Sequence, residues 1–483
     1  MSELHQNSQE EREQTAKAVY ASKAMFGRRM IFTSASRITQ ANVTKVVEQG
    51  YITHLLNRSE IEYLYNYYKG KQPSLYRKRE VRDELTSHIV ENRANEIVSF
   101  KVGYIAGKPI QYIASASGEG VSKEISDLND AMRIAGKHTR DKELIEWQMI
   151  CGTGFRYVVQ EKNPLRTVPF RLYTLNPMNT FVIRRNDYSQ DVLCGVNYVT
   201  DDNGQVTFTV YTDEAVYTFV KGSTKPVKAA RNAIGAIPII EYPANNARLG
   251  CFEIVLSMLD AINDFDCART EAVQQFVQSL LVLYNCQVDE GTTAEDIRAA
   301  GMILLKSVDG NKADVKNLAD QLDQSQNQTL KDDLYNSVLQ IVGVPSQSSS
   351  GTSDSSNNGA VVLKNGWQGA ETRATEFEAM FKLPEMEMLY VVNAICSARK
   401  SGRYTFNPET VEIKFTRRNY EDILSKSQTL VTMLGNDKIH PQKAYEASGL
   451  FVDTEEAYQM GMEWYGDHGG EEQPVRAVTV DAE

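Results

Sequence analysis

From Gly250 to Tyr284 the chain reads GCFEIVLSMLDAINDFDCARTEAVQQFVQSLLVLY, with no proline and no internal glycine. Val255, Leu259, Ile262, Val273, Phe276, Val277, Leu280 and Leu281 recur at helical steps, so the spacing predicts one helix of about 35 residues, roughly 52 Å long. That is about three times the mean globular helix. An amphipathic rod of this length needs neighbours to cover its apolar stripe. A short mixed insert, Cys286 to about Leu322, follows. A second helical stretch, Thr329–Val342, then runs to Gly343 and Pro345. Two helices bracketing a small β-containing insert predict a stalk with a tip.

Downstream, residues 346–359 read SQSSSGTSDSSNNG, with seven serines and a single charge. Such a composition cannot bury enough apolar surface to offset the entropy of ordering, and predicts a mobile loop. Ala360–Lys400 predicts another long helix, with Pro384 expected to kink it because proline removes a backbone donor. Val411–Phe415 alternates as a strand, and helical patches follow at Leu424–Leu434 and Thr454–Trp464, before an acidic tail.

Upstream, Thr44–Tyr68 and Leu85–Tyr104 carry helical periodicity, the second stopping at Gly103 or Gly107. Between Gly154 and Tyr242 the period falls to two. Phe155–Val159, Thr180–Ile183, Val206–Tyr211, Ala215–Val220 and Ile237–Tyr242 read as strands, rich in Val, Thr, Tyr and Phe. Asp201-Asp202-Asn203-Gly204 lacks the spacing of a calcium loop and reads as a hairpin turn. This portion is α+β. Residues 1–40 are polar and weakly periodic, which predicts a flexible or partner-bound arm.

The 483 residues suggest about three folding units. The charge balance excludes several functions. With 52 basic against 63 acidic residues the net charge is −11, unlike proteins that grip phosphates through a basic stripe. The longest basic run, Arg77-Lys78-Arg79, is answered at once by Glu80, Asp83 and Glu84, and reads as a solvated face. No stretch approaches the ~18 apolar residues of a membrane span, and the polar start lacks a signal-peptide core. The six cysteines are scattered, which predicts reduced, buried thiols rather than a metal cluster or disulfide framework. The phosphate-loop, zincin and nucleophile-elbow patterns are missing from the sequence, and its six histidines are isolated. The reading is therefore a non-enzyme with no catalytic residues, metal site or cofactor.

Several short motifs, in order, resemble the portal protein of tailed bacteriophages, of the type found in long-tailed phages of Gram-positive bacteria. They are Tyr67-Tyr68-x-Gly70; Asn92-x-Ala94-x-x-Ile97-Val98; Gly103-Tyr104-x-x-Gly107-Lys108-Pro109; Gly235-x-Ile237-Pro238-Ile239-x-Glu241 with Asn245-Asn246; Phe252-Glu253; Leu259-Asp260-Ala261; Asn358-Gly359-Ala360 with Leu363-Lys364; and Phe415-x-Arg417-x-Asn419. The sequence departs from the family at Asn358, where a serine is common, and at Tyr420, where a proline is expected.

The resemblance implies a portal-type α+β fold assembled as a ring, usually of twelve copies, at one capsid vertex, with double-stranded DNA driven in and later released through its channel. It implies a wing over 41–245 and 360–435, stem helices over 246–285 and 323–344, a clip over 286–322, a tunnel loop over 345–359 and a crown over 436–483. Tunnel-loop residues Ser348, Ser349, Ser350, Thr352, Ser353, Ser355, Ser356, Asn357 and Asn358 would line the DNA path. Clip residues Asp289, Glu290, Lys306, Asp309, Asn311 and Lys312 would meet the terminase large subunit and later the head-completion or adaptor protein. Val255, Leu259, Ile262, Val273, Phe276 and Leu280 would pack the stem. Major capsid and scaffolding proteins are further expected partners, in the virion and, during assembly, in the host cytoplasm. Twelve copies would carry a formal charge of about −132, which favours a channel that repels phosphates. The alternative is another ring or scaffold component of the head–tail junction without a DNA channel.

Overall fold

The computed structural model describes residues 27–78, 86–115, 119–163, 165–277, 281–284, 286–287, 306–307, 314–317, 324–345, 366–398, 404–417, 423–436, 438–451 and 454–468. In chain order the helices are α1 (Val43–Tyr68), α2 (Arg93–Ile105), α3 (Glu119–Ile134), α4 (Lys137–Cys151), α5 (Leu256–Val277), α6 (Gln324–Val342), α7 (Trp367–Ala398), α8 (Ile423–Leu434), α9 (Pro441–Ser448) and α10 (Thr454–His468). The strands are β1 (Phe32–Thr33), β2 (Gln111–Ala114), β3 (Thr153–Gln160), β4 (Phe170–Leu175), β5 (Thr180–Arg185), β6 (Val192–Thr200), β7 (Val206–Tyr211), β8 (Ala215–Val220), β9 (Lys228–Arg231), β10 (Ile239–Pro243), β11 (Leu281–Tyr284), β12 (Cys286–Gln287), β13 (Lys306–Ser307), β14 (Asp314–Asn317) and β15 (Val411–Lys414). The mixture is α+β, as the two periodicities predict. The chain divides into two compact units: Met1–Tyr65 with Glu96–Ile254 and Leu339–Glu483, and Asn66–Asn95 with Val255–Val338.

The first unit is built on a six-stranded sheet in the order β1-β5-β6-β7-β8-β9. It is an antiparallel meander from β5 to β9, with β1 added in parallel at one edge. Alternation puts Val206, Phe208 and Val210 of β7 inward. Helix α1 lays Val43, Val46, Val47 and Tyr51 on that face, where Tyr51 meets the rings of Tyr198 and Phe208 edge-on at 5.1 Å. His54, one turn on, stacks on Phe181 at 4.7 Å, with Nε2 3.1 Å from the Met178 carbonyl. Burial pushes its pKa down to about 4. The Asp201–Gly204 segment makes the turn between β6 and β7, with Gly204 at φ +79°. A second sheet, β10-β3-β4, and the pair β15–β2 complete the strands of this unit.

Residues 27–40 pack into the first unit, where the sequence predicts a flexible or partner-bound arm over 1–40. Arg28 is buried and its guanidinium bonds Glu253 at 2.9 Å and Glu60 at 3.1 Å, while Ile31 and Ile38 join the core. Residues 1–26 lie outside the described residues.

In the second unit α5 is shorter than the sequence predicts. It covers Leu256–Val277 after a short 3-10 turn, and Leu281–Tyr284 forms β11 against β14. The apolar run L-L-V-L-Y fits either period, and the β-partner from the insert decides for strand. The helix expected from Leu85 also starts later, at Arg93. Residues 87–91 instead run extended and antiparallel to α5. Ser87 N–H donates to Glu271 Oε1 (2.9 Å), Ile89 N–H to Cys267 Sγ (3.3 Å) and Glu91 N–H to Asn263 Oδ1 (2.8 Å). Two extended residues rise about 6.6 Å and four helical ones about 6 Å, so every second amide meets every fourth side chain. Those donors cannot also serve a helix.

Four of the five cysteines whose side chains are described, Cys151, Cys194, Cys267 and Cys396, are buried, and Cys251 is half-buried. No helix among the described residues is long and apolar enough to cross a membrane.

Candidate functional site

The candidate site is the base of the serine-rich segment. Helix α6 closes at Val342, and Gly343 takes the left-handed conformation at φ +69° with its N–H on the Gln340 carbonyl. Val344 N–H returns to the Leu339 carbonyl at 2.9 Å, and Pro345 follows. The chain resumes at Gly366, also left-handed at φ +79°, directly before Trp367 opens α7. A methyl group placed on Gly366 would sit 3.8 Å from Pro345 Cα, an ordinary van der Waals contact. The twenty residues between, 346–365, therefore leave and return at one point. A methyl on Gly343 would meet Arg373 Cγ at 2.8 Å, so the end of α6 lies against the second turn of α7.

Helix α2 and the segment after β15 clamp the first turns of α7. Trp367 lies 6.0 Å from Phe100 and 5.9 Å from Tyr104, which stack on each other at 5.7 Å. Tyr104 OH donates to Glu371 Oε2 at 2.7 Å, and Arg417 Nε donates to the same oxygen at 3.1 Å. The Arg417 guanidinium also reaches Glu371 Oε1 and Glu378. Phe415, two residues before, meets Phe381 edge-on at 5.5 Å. Forked arginine–carboxylate contacts fix direction as well as distance.

Further along α7 a charged cluster is buried. Glu385, fully buried, accepts hydrogen bonds from Tyr112 OH (2.6 Å), Tyr242 OH (2.7 Å) and lies 2.9 Å from Lys137 Nζ. Lys137 also meets Asp141 Oδ2 at 2.5 Å, and Arg156 Nη2 donates to Asp141 Oδ1 at 2.6 Å. Two cations and two anions cancel. Burial by itself would raise the Glu385 pKa, but Lys137 and Arg156 outweigh it and hold the carboxylate ionised. Pro384 precedes Glu385 without ending the helix. The cluster ties the middle of α7 to α4, β2, β3 and β10.

In the second unit the motif residues join one amide and carboxylate chain. Tyr67 OH donates to Asp260 Oδ1 (2.9 Å), Asn92 Nδ2 to the Tyr68 carbonyl (2.9 Å), Gln72 Nε2 to Asn92 Oδ1 (3.0 Å), and Asn263 Nδ2 to Gln72 Oε1 (2.6 Å). Helices α5 and α6 are tied antiparallel by Lys331 on Asp266 (2.8 Å) and Arg269 on Gln328 (2.8 Å). The Arg93 guanidinium lies 4.0 Å over the Tyr335 ring.

Of the predicted stem residues, Val255, Leu259 and Ile262 are buried. Val273 and Phe276 lie within α5, but their side chains, and all of Leu280, lie outside the described residues. Lys306 is in β13. Asp289, Glu290, Asp309, Asn311 and Lys312 lie outside the described residues, as do the nine tunnel-loop residues. Sequence reasoning quoted Tyr104 and Arg417 only as motif letters; it missed Trp367, Glu371 and Glu385, whose partners stand far away in sequence. No cluster of potential metal ligands occurs among the described residues.

The family model "Phage portal protein, SPP1 Gp6-like" matches residues 51–463. Comparison with curated proteins finds no match. Among solved structures, a chain in the neck of a native GTA particle computed with C12 symmetry aligns at 13% identity and a TM-score of 0.41, covering 74% of this chain and 90% of that one. A chain in the neck of an empty GTA particle computed with C6 symmetry aligns at 13% identity and 0.42, with the same coverage.

Proposed function

The chain belongs to the SPP1 Gp6-like family of phage portal proteins, and from that membership we propose that it forms a closed ring at one capsid vertex, through which double-stranded DNA is packaged and ejected. The family is structural rather than enzymatic, so the work of the chain is positional. In this reading residues 346–359 form a flexible collar around the passing duplex. The observation that carries it is the junction of Pro345 with Gly366: a long polar excursion rooted at one point of a clamped helix can bend without disturbing the fold. Serine and asparagine offer weak, exchangeable hydrogen bonds to a moving phosphate backbone, without the lasting grip of Lys or Arg. The net charge of −11 per copy supports the same reading, because a ring of such chains repels DNA that must not stick.

Membership supports the remaining assignments of this reading. The insert between β11 and β14, with Lys306 and the acidic and polar residues around it, is the surface offered to the terminase large subunit and then to the head-completion protein. The α5–α6 pair, with Leu259 and Ile262 of α5 buried and Val255 buried in the turn before it, is the stem, and capsid and scaffolding proteins meet the outer parts. Electron microscopy and native mass of the purified chain test the ring. A closed assembly near 650 kDa, twelve copies of 54.3 kDa, with an opening wider than the ~20 Å duplex is expected. A closed ring too narrow for a duplex would favour the structural alternative without a DNA channel.

A further inference from the structure

Strand β9 ends the six-stranded sheet, with β8 its one neighbour among the described residues. The pairs Ala215↔Arg231 and Tyr217↔Ala229, with Asn232 N–H on the Glu214 carbonyl at 2.8 Å, set the phase of the ladder. In that phase Ala230 faces β8 across a hydrogen-bonded pair, while Ala229 and Arg231 turn their N–H and C=O groups away from it. All four residues of β9 are exposed. The stretch Lys221-Gly-Ser-Thr-Lys225-Pro-Val-Lys228-Ala-Ala-Arg231 carries four cations and no acid, in a chain whose net charge is −11. Glu48, whose carboxylate accepts the Gly222 N–H, sits at one end of it. The result is a basic sheet edge with free backbone groups and, at Ala229 and Ala230, little side-chain bulk over them.

A segment of this same chain, outside the described residues, has matching chemistry. Residues 469–483 read GGEEQPVRAVTVDAE, with four acids against Arg476. Val475-Arg476-Ala477-Val478-Thr479-Val480 is β-branched and free of internal glycine and proline, the composition of a strand. Fifteen residues beyond His468 can reach about 50 Å when extended. We propose that β9 is the docking edge for the C-terminal tail, residues 475–480 adding as a seventh strand with Glu471, Glu472, Asp481 and Glu483 meeting Lys221, Lys225, Lys228 and Arg231. Main-chain hydrogen bonds would supply affinity and the flanking charges register. Duplex DNA would answer the charge but not the free backbone edge.

The test uses the full chain and a chain ending at His468, with hydrogen exchange read at the Ala229 and Arg231 amides. Slower exchange in the full chain, by about tenfold or more, is expected, lost on truncation and restored by a synthetic peptide of residues 470–483. Peptide binding measured by fluorescence anisotropy should weaken as salt rises. Ala229→Pro removes an outward donor without touching the β8 ladder, as proline is tolerated at such edge positions. It should weaken the peptide about three- to tenfold with the melting temperature kept, and Lys228→Glu with Arg231→Glu should weaken it independently. Equal exchange in both chains, or peptide binding indifferent to these substitutions, would overturn the proposal and leave β9 as an edge whose lysines deter pairing. A 20-base-pair DNA duplex that competes with the peptide, while the amides remain unprotected in the full chain, would assign the patch to nucleic acid instead.

Discussion

Replacing residues 346–359 with Gly-Ser-Gly-Ser is the perturbation that most directly probes the loop. A methyl on Gly366 would sit 3.8 Å from Pro345 Cα, so the ten residues then left between them span the gap without moving α6 or α7. The closure entropy of a flexible loop grows as about (3/2)RT times the logarithm of its length. Halving the twenty-residue connection therefore stabilises the chain by about 0.6 kcal/mol at most. The contacts that hold the base, Trp367 on Phe100 and Tyr104, and Arg417 on Glu371, are left intact. The expected outcome is a melting temperature equal to or slightly above that of the parent, and rings of unchanged size by microscopy. Phage assembled with the shortened chain should nonetheless package or retain DNA poorly, read as the fraction of filled heads and the titre. A fall of several degrees in melting temperature, or loss of rings, would show that the segment is a packing element and refute the argument from its rooted ends. Normal titres would refute its role in the DNA path.

Three further outcomes follow from buried titratable groups. Glu385→Ala strands Lys137 and Arg156 in the interior with one anion between them, so calorimetry should show a loss of about 3–5 kcal/mol; Glu385→Gln should cost less, since it keeps a hydrogen-bond acceptor for Tyr112 and Tyr242. His54 has its pKa lowered to about 4, so between about pH 6.5 and 4 the unfolded chain binds the extra proton and stability falls with falling pH. The loss should reach about 3 kcal/mol by pH 4, and His54→Gln should flatten that slope in a urea-denaturation series. Below about pH 4.3 a separate loss sets in. Burial opposes the ionised form of Glu241, yet Arg248 and Arg184 hold its pKa at about 2, and its stabilisation disappears as pH falls through that value.

Sequence alone was sufficient for elements whose signal is local. The period of two in Val206–Tyr211 and Ala215–Val220, the helical step of Thr44–Tyr68, and the Asn-Gly turn at 203–204 depend on a residue and its near neighbours, and the structure has them where the pattern puts them. The terminal helices α8 and α10 were legible for the same reason. The family also came from the chain's own letters, since the order of its motifs pointed to it before any contact was known.

Tertiary structure decided what depends on a distant partner. Ser87 to Glu91 has the apolar spacing of a helix, but Asn263, Cys267 and Glu271 capture its amides, and an occupied donor cannot close a helical turn. Leu281–Tyr284 continues the apolar run of α5, yet strand β14 claims its backbone. Arg28 sits in a polar stretch that looks unattached; only the fold brings Glu60 and Glu253 to it. Glu385 reads as one more surface acid on an amphipathic helix until Lys137, Tyr112 and Tyr242 arrive from 143 to 273 residues away. Burial removes the competing water, so such pairings outweigh local propensity while leaving no periodic trace in the sequence. The same holds for the loop: its composition marked it as polar and hard to order, but that its two ends share one anchorage is a fact of packing between α6 and α7.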